Sequence, residues 1–483
     1  MQPDLFTSAR DKIAAIRDGH VTARKLLEDS LLQFRRINPD INAVIRTDLD
    51  TARKHATRLD ELAAAGEWMG PLHGLPITVK DTFDVDGMPA SAGAEKYARR
   101  APHTRDAYAV ERLKSAGAVI WGKSNTPYLA GDNQTFNTLH GITNNPYNPA
   151  LTPGGSSGGS AAAIASGISA LELGSDIGGS LRLPAHFCGV CALKPSYGRI
   201  SQIGHVPPEP GALFERQLNV VGPLARNVAD LKLAFSVLTN EVPIEQDPVS
   251  TSLRSRRIAI WSEEEGFSLS ADCAQAVERA AQAARKGEAS VAKAKPDIAG
   301  PHLLDVYLRL VVAVLSEDMP ASTRRFLSMY RPIAKLIADE KPFSRAKWSL
   351  YATSRYRDWV EANEMRAKLL VIAERFFRSW DAIIAPVCAV SAFPHDHRGG
   401  LFNRRMIVDG RKEPYVSYLS WISLASACNL PAVVIPAGRT SDGMPVGVQV
   451  IGAHGQDQKV LDIAEALEAN LGGFTPPKNL QSV

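Results

Sequence analysis

The chain has 483 residues, of which 45% are hydrophobic and 22% are charged. This balance is ordinary for a globular protein, and it excludes a collagen, an intrinsically disordered chain and a disulfide scaffold. The 55 Lys and Arg residues outnumber the 51 Asp and Glu residues only slightly, and the formal net charge is +4. This charge gives no reason to expect nucleic acid as a partner.

The N-terminus lacks a basic segment followed by an apolar one, so the sequence predicts no secretory signal and a cytoplasmic protein. The cysteines form a sparse, odd-numbered set that favours reduced thiols over a disulfide framework. They are Cys188, Cys191, Cys273, Cys388 and Cys428. The apolar stretch from Trp421 to Gly438 is interrupted by Asn429, Pro431 and Pro436, which favours a buried strand over a membrane span.

From about Ser8 to Leu62, apolar residues recur at helical spacing with breaks near Gly19 and Pro39, which predicts several helices over a core. The β-branched run from Leu75 to Asp81 predicts a short strand that ends near Lys80. Because α/β enzymes gather their chemistry at strand ends, Lys80 is the first candidate functional residue.

Strand and helix patterns then alternate, as in a largely parallel or mixed sheet. A helix pattern precedes a strand over Ala118 to Trp121, and a helix over Ala161 to Ser166 precedes a strand over Ile168 to Leu173. Later strands are predicted over Asp381 to Ala385, Ala432 to Ile435 and Val446 to Ile451. Between about Gln246 and Trp380, helical runs with Arg and aromatic residues predict a mainly helical insertion.

The least ordinary stretch is the Gly- and Ser-rich segment from Thr152 to Ser160. It leads directly into a helix pattern, which favours an ordered turn over a flexible linker. The absence of a nearby lysine argues against a P-loop. Residues Gly154 to Gly158 satisfy G-x-S-x-G, the nucleophile elbow of α/β-hydrolases, for which His395 or His397 could complete a triad. However, an Asn- and Pro-rich segment precedes this serine, whereas an elbow serine follows a strand.

A second Gly- and Ser-rich turn, Gly174 to Pro184, follows a predicted strand. Consecutive glycines let backbone N–H groups approach a ligand, as in an oxyanion hole, and Ser180 would open a helix. Two serine turns and a lysine at a strand end suggest a catalytic set without histidine. Burial lowers the pKa of a lysine, so a neutral Lys80 could serve as the base.

The sequence resembles the amidase signature family. Three motifs carry the resemblance: Gly154 to Ser160, Gly174 to Pro184 and Cys188 to Pro195. The similarity spans about Gly70 to Asp230 and resumes at Asn429 to Pro436 and at Pro445 to Gly452, whereas the helical middle shows little match.

The resemblance implies one large α/β domain with a central mixed, twisted β-sheet covered by helices. In this division, residues 1–69 form an N-terminal helical layer and residues 70–245 form the core that carries the signature. Residues 246–380 form a variable helical insertion, and residues 381–483 return to the core sheet.

The resemblance further implies a Ser, cis-Ser, Lys triad. It assigns Ser180 as nucleophile, Ser156 as proton relay and Lys80 as base, with the family's 24-residue step between the two serines. It also implies a cis peptide between Gly155 and Ser156. Singly, a lysine at a strand end is more often solvated and a serine after glycines is more often a helix cap, but their joint order and spacing favour the triad.

By the same resemblance, the amides of four consecutive residues form the oxyanion hole. These are Ile177, Gly178, Gly179 and Ser180. Ser157 and Asp176 are expected to support the two loops, and Arg182 is expected to hold the start of the following helix.

The predicted function is an amidase that hydrolyses linear amide C–N bonds to the carboxylate and ammonia or an amine. The expected partner is a small-molecule amide, with no metal or other cofactor, no nucleic acid and no membrane, and the resemblance implies a homodimer. An ester could also be cleaved by the same machinery. Aromatic residues of the middle segment suggest an apolar or aryl substrate, although core packing explains these residues equally well. These are Tyr307, Phe326, Tyr330, Trp348, Tyr351, Tyr356 and Trp359.

Two alternatives stay open. One is the glutaminase (A) subunit of a tRNA-dependent amidotransferase, although its typical Asn-Met-Asp-Glu-Phe-Ala motif is replaced here by Asn125 followed by Thr126 to Gly131. The other is a catalytically silent scaffold, which would be expected to lose at least one triad residue.

Other motifs are interpreted as structural. Cys188 and Cys191 form C-x-x-C without a second pair at zinc spacing, so buried thiols are expected. His395 and His397 are interpreted as a solvated loop rather than a metal site. The Arg clusters at Arg254 to Arg257 and at Arg324 to Arg325 are interpreted as solvated faces.

Overall fold

The computed structural model describes residues 3–101, 105–241, 252–339 and 341–480. Its strands are β1 Val44–Thr47, β2 Pro76–Lys80, β3 Val119–Ser124, β4 Phe136–Asn137, β5 Gly141–Ile142, β6 Leu171–Asp176, β7 Cys191–Lys194, β8 Val220–Ala225, β9 Arg257–Ile260, β10 Ser290–Lys293, β11 Ala382–Pro386, β12 Arg405–Val408, β13 Arg411–Pro414, β14 Ala432–Arg439 and β15 Pro445–Ile451. Eleven of them form one mixed sheet in the order β1-β3-β2-β6-β8-β7-β14-β15-β11-β9-β10. The predicted central mixed sheet is therefore confirmed.

Two parallel strands near one end of this sheet place the candidate site. Strand β2 is parallel to β3 and to β6, and the register pairs Thr78 with Glu172 and Val79 with Leu173. Every residue of β2 and β6 is buried. Because parallel strands end at the same edge of a sheet, the last residue of β2, Lys80, and the last residue of β6, Asp176, lie at one edge.

Helices cover the sheet. In the described residues they are α1 Ala9–Arg17, α2 Ala23–Ile41, α3 Leu49–Ala64, α4 Glu95–Ala98, α5 Tyr108–Ser115, α6 Gly158–Ala165, α7 Arg182–Cys188, α8 Val228–Thr239, α9 Ala271–Lys286, α10 Gly300–Leu315, α11 Ala321–Ile337, α12 Arg345–Ala352, α13 Tyr356–Phe377, α14 Leu419–Ala427 and α15 Asp457–Leu471. Helices α6 and α7 each follow one of the two serine turns, as the sequence predicts.

The side chains of β14 show that both faces of the sheet are covered. Ala432 and Val434 belong to an apolar cluster that contains residues of α7, α10 and α14. Val433 and Ile435 belong to a second cluster with residues of α8, α9 and α15. A strand buried on both faces forms a continuous apolar run rather than an alternating one, which is why the sequence displays it clearly.

The predicted N-terminal helical layer consists of α1, α2 and α3, and its apolar face packs on Trp121 of β3. The predicted breaks near Gly19 and Pro39 are present, and the second lies a few residues later than expected. Helix α2 continues through Pro39 to Ile41 and ends at Asn42, whose backbone is left-handed. Strand β1 was not predicted from the sequence. Four residues are too few to display a strand periodicity.

The predicted helical insertion, residues 246–380, contains α9 to α13, and its residues 246–251 and 340 lie outside the described ranges. It also contributes β9 and β10, which extend the central sheet at its end. Both strands have only four residues.

The prediction of a single buried strand between Trp421 and Gly438 is wrong in its first half. Residues Leu419–Ala427 form α14, which is buried along its entire length, and β14 begins only at Ala432. A helix that is apolar on all sides shows no period by which to distinguish it from a strand. Within the described ranges, no helix has the length and apolarity that crossing a membrane requires.

Candidate active site

Lys80 ends β2 with a completely buried side chain. Its Nζ lies 2.7 Å from Ser156 Oγ and 3.1 Å from Ser175 Oγ. Burial lowers the pKa of the Lys80 ammonium to about 7, although the nearby Asp176 carboxylate acts in the opposite direction. A substantial fraction of Lys80 is therefore a neutral amine near neutral pH, and a neutral amine can accept a proton.

Ser156 lies in the turn before α6, and the peptide bond between Gly155 and Ser156 is cis, as the family resemblance implies. The turn accepts only glycine before this serine. A Cβ atom on Gly155 would lie 2.5 Å from the carbonyl oxygen of Asp132 and 2.8 Å from the carbonyl carbon of Asn133. The neighbouring backbone therefore fixes the path of the chain that presents Ser156 to Lys80.

Ser180 lies in the turn between β6 and α7 and lines the same cavity as Ser156. Its residue exposure is 7%, compared with 1% for Ser156 and 0% for Lys80, so exposure rises along the series from base to candidate nucleophile. The N–H of Ser157 donates to the carbonyl of Ser180 across 3.1 Å, which ties the two serine turns together.

The glycine turn before Ser180 differs from its predicted role in one respect. The N–H of Gly179 donates to Asp176 Oδ1 across 2.8 Å, so this amide is directed at the carboxylate. The expectation of four oxyanion donors is therefore corrected to three. The remaining candidates are the N–H groups of Ile177, Gly178 and Ser180.

Asp176 and Arg182 form a buried ion pair under this turn. Arg182 Nε lies 3.0 Å from Asp176 Oδ2, and Arg182 Nη2 lies 3.0 Å from Asp176 Oδ1. Burial raises the pKa of Asp176, but the Arg182 guanidinium, Lys194 and the Gly179 N–H together outweigh burial and hold this pKa at about 2. Arg182 also donates to Ile422 O and Ser426 Oγ of α14. The pair thereby joins the turn to the helix that packs against it.

Three residues that were not predicted to belong to the catalytic machinery contact it. Ser175 contacts Lys80, His205 Nε2 lies 2.9 Å from Ser175 Oγ, and the Tyr307 hydroxyl donates to Ile177 O across 2.8 Å. Ser175 lies near the end of β6, as Lys80 lies at the end of β2, so its position at a strand end was visible in the sequence. The other two contacts join distant parts of the chain and leave no local pattern.

A largely apolar cavity lies in front of Ser180, and α10, α12 and α14 form part of its wall. The lining residues are Ala130, Gly131, Asp132, Asn133, Gly155, Ile177, Gly178, Ser180, Val311, Leu315, Trp348, Leu401, Tyr418 and Leu419. The Asp132 carboxylate is neutralised by Arg404, whose Nη2 lies 2.5 Å from Asp132 Oδ2. Among the described residues, Asn133 finds no hydrogen-bond partner for either polar side-chain atom, although it is buried.

The alternative motifs do not join this site. Cys188 and Cys191 are buried free thiols, and burial raises the pKa of both. His395 Nε2 lies 3.3 Å from Pro149 O, and His397 stacks on the ring of Phe136, so the contacts of neither ring support the nucleophile-elbow hypothesis for Ser156. The described ranges contain no cluster of three or more His, Cys, Asp and Glu residues with metal-binding geometry.

The α/β fold that holds this site is found again among solved structures. The chain aligns over 96% of its length with all of a protein whose structure is described as a crystal structure of amidase, with a TM-score of 0.78 and 31% identity. The family profile described as Amidase matches residues 25–461. The chain therefore belongs to the amidase signature family, whose members hydrolyse amide C–N bonds.

Curated relatives carry two different names. The indoleacetamide hydrolase of Bradyrhizobium diazoefficiens is 31% identical, over 96% of this chain and 86% of the relative. In Chloroflexus aurantiacus, the A subunit of glutamyl-tRNA(Gln) amidotransferase is 32% identical, over 94% of both chains. The comparisons confirm the family that the sequence resembles and leave two reactions to be distinguished.

Proposed function

We propose that the protein is a stand-alone amidase that hydrolyses small apolar or aryl carboxylic acid amides through an acyl-enzyme on Ser180. The observation that carries the proposal is the 2.7 Å contact between buried Lys80 and Ser156, in the cavity that Ser180 also lines. A base and a relay without access to bulk water are arranged to remove a proton from a nucleophile.

In the acylation step, Ser180 Oγ attacks the amide carbonyl carbon while Ser156 Oγ takes the Ser180 proton. Ser156 passes its own proton to the neutral Lys80 amine, which becomes an ammonium. The carbonyl oxygen acquires negative charge, and the N–H groups of Ile177, Gly178 and Ser180 are proposed to stabilise it. The relay then returns a proton to the leaving nitrogen, the C–N bond breaks, and ammonia or an amine departs.

In the deacylation step, water attacks the carbonyl carbon of the acyl-enzyme and gives its proton to Ser156, which again passes one to Lys80. Collapse of the tetrahedral intermediate breaks the bond to Ser180 Oγ, which regains a proton through the relay. The products are the carboxylic acid and the free enzyme. Every proton that Lys80 accepts is returned within the cycle, so no cofactor is required.

The substrate class is inferred from the charges around the cavity. Glutamine would bring an ammonium and a carboxylate, but the charged groups near Ser180 are already paired within the protein. Asp132 is held by Arg404, and Arg216 makes two 2.6 Å contacts with Asp318. An uncharged acyl group suits this surface better, because it leaves both pairs intact.

A glutaminase role within a tRNA-dependent amidotransferase is the second candidate, and the relatives named as the A subunit of glutamyl-tRNA(Gln) amidotransferase support it. The sequence departs from the typical motif of that subunit at Thr126 to Gly131. The paired charges of the cavity also argue against it. A silent scaffold has less support, because Lys80, Ser156 and Ser180 are all present and share one buried site.

The test measures ammonia and amine release from aliphatic, aryl and long-chain amides and from glutamine. Ser180→Ala is the inactive comparison, and Ser290→Ala, an exposed serine on β10, is the control for removing a hydroxyl. We expect the wild type and Ser290→Ala to hydrolyse an uncharged amide and Ser180→Ala to be inactive. Hydrolysis of glutamine alone, or only with added partner subunits, would replace this proposal by the second candidate. The homodimer that the family resemblance implies remains a prediction. Light scattering, which measures the mass of the protein in solution, would test it.

A further inference from the structure

Among the described residues, Lys80 has two hydroxyl neighbours that could compete for its lone pair. Its Nζ lies 2.7 Å from Ser156 Oγ and 3.1 Å from Ser175 Oγ. A neutral primary amine has two N–H donors and a single lone pair. Proton transfer from Ser156 requires that lone pair, so a Ser175 hydroxyl that donated to Lys80 would block the base. The direction in which the Ser175 proton points therefore matters for catalysis.

His205 determines that direction. Its Nδ1 lies 2.8 Å from the carbonyl oxygen of Pro207, and its Nε2 lies 2.9 Å from Ser175 Oγ. A carbonyl oxygen only accepts hydrogen bonds, so Nδ1 carries a hydrogen. Burial lowers the pKa of His205 to about 3, and a neutral imidazole carries only one ring hydrogen. Nε2 therefore has a lone pair and accepts the Ser175 proton.

The backbone around His205 is anchored to the segment that follows Lys80. The N–H of Val206 donates to Thr82 O across 2.7 Å, and the N–H of Asp84 donates to Gly204 O across 3.0 Å. The His205 ring packs edge-on against Phe83 with 5.1 Å between ring centroids. These contacts keep the imidazole in register with the strand end that carries the base.

We propose that His205 is a positioning residue for the catalytic base: by accepting the Ser175 proton, it turns the Ser175 oxygen towards Lys80 and leaves the Lys80 lone pair for Ser156. The inference rests on the function proposed above. Ser175 then accepts an N–H from Lys80 whether Lys80 is neutral or protonated. The network keeps its orientation as the proton arrives, which is the condition for a preorganised site.

The first experiment compares His205→Leu, which removes the acceptor, with His205→Gln, which keeps an acceptor in the side chain. The readouts are the rate at which a fluorophosphonate probe labels Ser180, and kcat and KM for an amide that the wild type hydrolyses. We expect His205→Leu to lower the labelling rate and kcat by about 10- to 100-fold with KM unchanged, the size of one misdirected buried hydrogen bond. His205→Gln should recover most of this loss.

The decisive comparison repeats His205→Leu in a Ser175→Ala background. Without the Ser175 hydroxyl, Ser156 is the one hydroxyl in the described part of the chain that contacts Lys80 Nζ, so His205→Leu should have no further effect on kcat or on labelling. A role of His205 in packing alone would produce the same loss in both backgrounds. That outcome would overturn the proposal.

A third measurement needs neither activity nor a stable leucine variant. In the wild type, a two-bond ¹H–¹⁵N NMR spectrum, assigned by difference from His205→Gln, reports which ring nitrogen carries the hydrogen. Hydrogen on Nδ1 at neutral pH supports the proposal, whereas hydrogen on Nε2 or on both nitrogens overturns it. A failure of the proposed function would give a different result: the fluorophosphonate probe would label the wild type no faster than it labels Ser180→Ala.

Discussion

The hydroxyl of Tyr307 donates a hydrogen bond to the carbonyl oxygen of Ile177 across 2.8 Å. Tyr307 lies on α10, whereas Ile177 begins the glycine turn that leads to Ser180. The Ile177 carbonyl and the Gly178 N–H belong to one planar trans peptide and point in opposite directions. By holding the carbonyl, Tyr307 fixes the orientation of a proposed oxyanion donor that it does not touch.

The first prediction concerns this contact. Tyr307→Phe leaves the Ile177 carbonyl without its donor and allows the Gly178 amide to turn. We expect kcat to fall by about 10-fold with KM nearly unchanged, because the amide acts mainly on the transition state. Steady-state kinetics check this, with Tyr356→Phe, an exposed tyrosine on α13, as the control. Equal kcat values for both variants would contradict the assigned role.

The second prediction concerns pH. Because burial lowers the pKa of Lys80 to about 7, Lys80 is protonated below this pH and cannot accept a proton from Ser156. We therefore expect kcat/KM to rise with pH through about 7 and to level off above it. Lys80→Arg keeps a cation that does not release its proton, so it should be inactive at every pH tested. Activity of wild type that is constant from about pH 5 to about pH 9 would be inconsistent with a lysine base.

The third prediction concerns the buried ion pair under the turn. Asp176→Asn leaves the Arg182 guanidinium buried without its counter-charge, and we expect the free energy of unfolding to fall by about 3 to 5 kcal/mol at neutral pH. Asp176→Asn combined with Arg182→Met should recover part of the loss. Denaturant titration of the two variants and the wild type checks both values.

The same pair predicts how stability changes with acid. The Asp176 pKa of about 2 in the folded protein lies below its ordinary value of 3.8. The carboxylate therefore contributes stability above pH 3.8 that is lost as the pH falls through about 2. The difference in unfolding free energy between wild type and Asp176→Asn should narrow over this interval. If the difference in unfolding free energy between the two proteins stayed constant over this pH interval, the ionisation of Asp176 would not be the source of the stabilisation.

The fourth prediction concerns Asn133, whose side chain is buried in the cavity wall without a hydrogen-bond partner among the described residues. Asn133→Leu removes two unsatisfied polar atoms, so we expect the unfolding free energy to rise by about 1 kcal/mol. The same change should raise KM for amides whose acyl group carries a hydrogen-bonding substituent and lower it for purely aliphatic ones. Thermal unfolding tests the expected gain in stability, and KM values for the two kinds of amide test the expected change in binding. A destabilised Asn133→Leu variant would show that the Asn133 side chain makes hydrogen bonds in the folded protein.

The fifth prediction concerns Gly155. A Cβ atom at this position would lie 2.5 Å from Asp132 O, inside the closest approach of real atoms. We expect Gly155→Ala to lower the unfolding free energy by about 3 kcal/mol or more and to abolish activity, because backbone must move to admit the methyl group. Gly400→Ala is the control, since a Cβ atom there would meet no atom within 4 Å. Similar melting temperatures for the two variants would contradict the close approach.

Most of the candidate site was accessible from the sequence, because its loops need unusual residues. The two Gly- and Ser-rich turns indicate a backbone that other residues cannot follow, and Lys80 ends a short β-branched run that is typical of a buried strand. The cis peptide at Gly155 came from the family resemblance alone. The structure confirms this peptide, together with the contact between Lys80 and Ser156.

The rest could not be predicted because it depends on contacts between distant residues. Ser175 and His205 are 30 positions apart, and Ile177 and Tyr307 are 130 positions apart, so no periodicity links them. The direction of the Gly179 N–H, towards Asp176, depends on the path of the turn. In the fold, α14 and the four-residue strands β1, β9 and β10 lack the polar alternation that reveals longer elements.

Part of the cavity wall comes from a segment of the chain that is distant in sequence from the triad, and this has an evolutionary consequence. Lys80, Ser156 and Ser180 all precede residue 181, whereas Val311, Leu315, Trp348, Leu401 and Leu419 follow residue 300. Substitutions in the later segment can therefore change the surface that contacts the acyl group without changing the three catalytic residues. A gene library diversified only at such wall positions would explore new amides without a new catalyst having to arise.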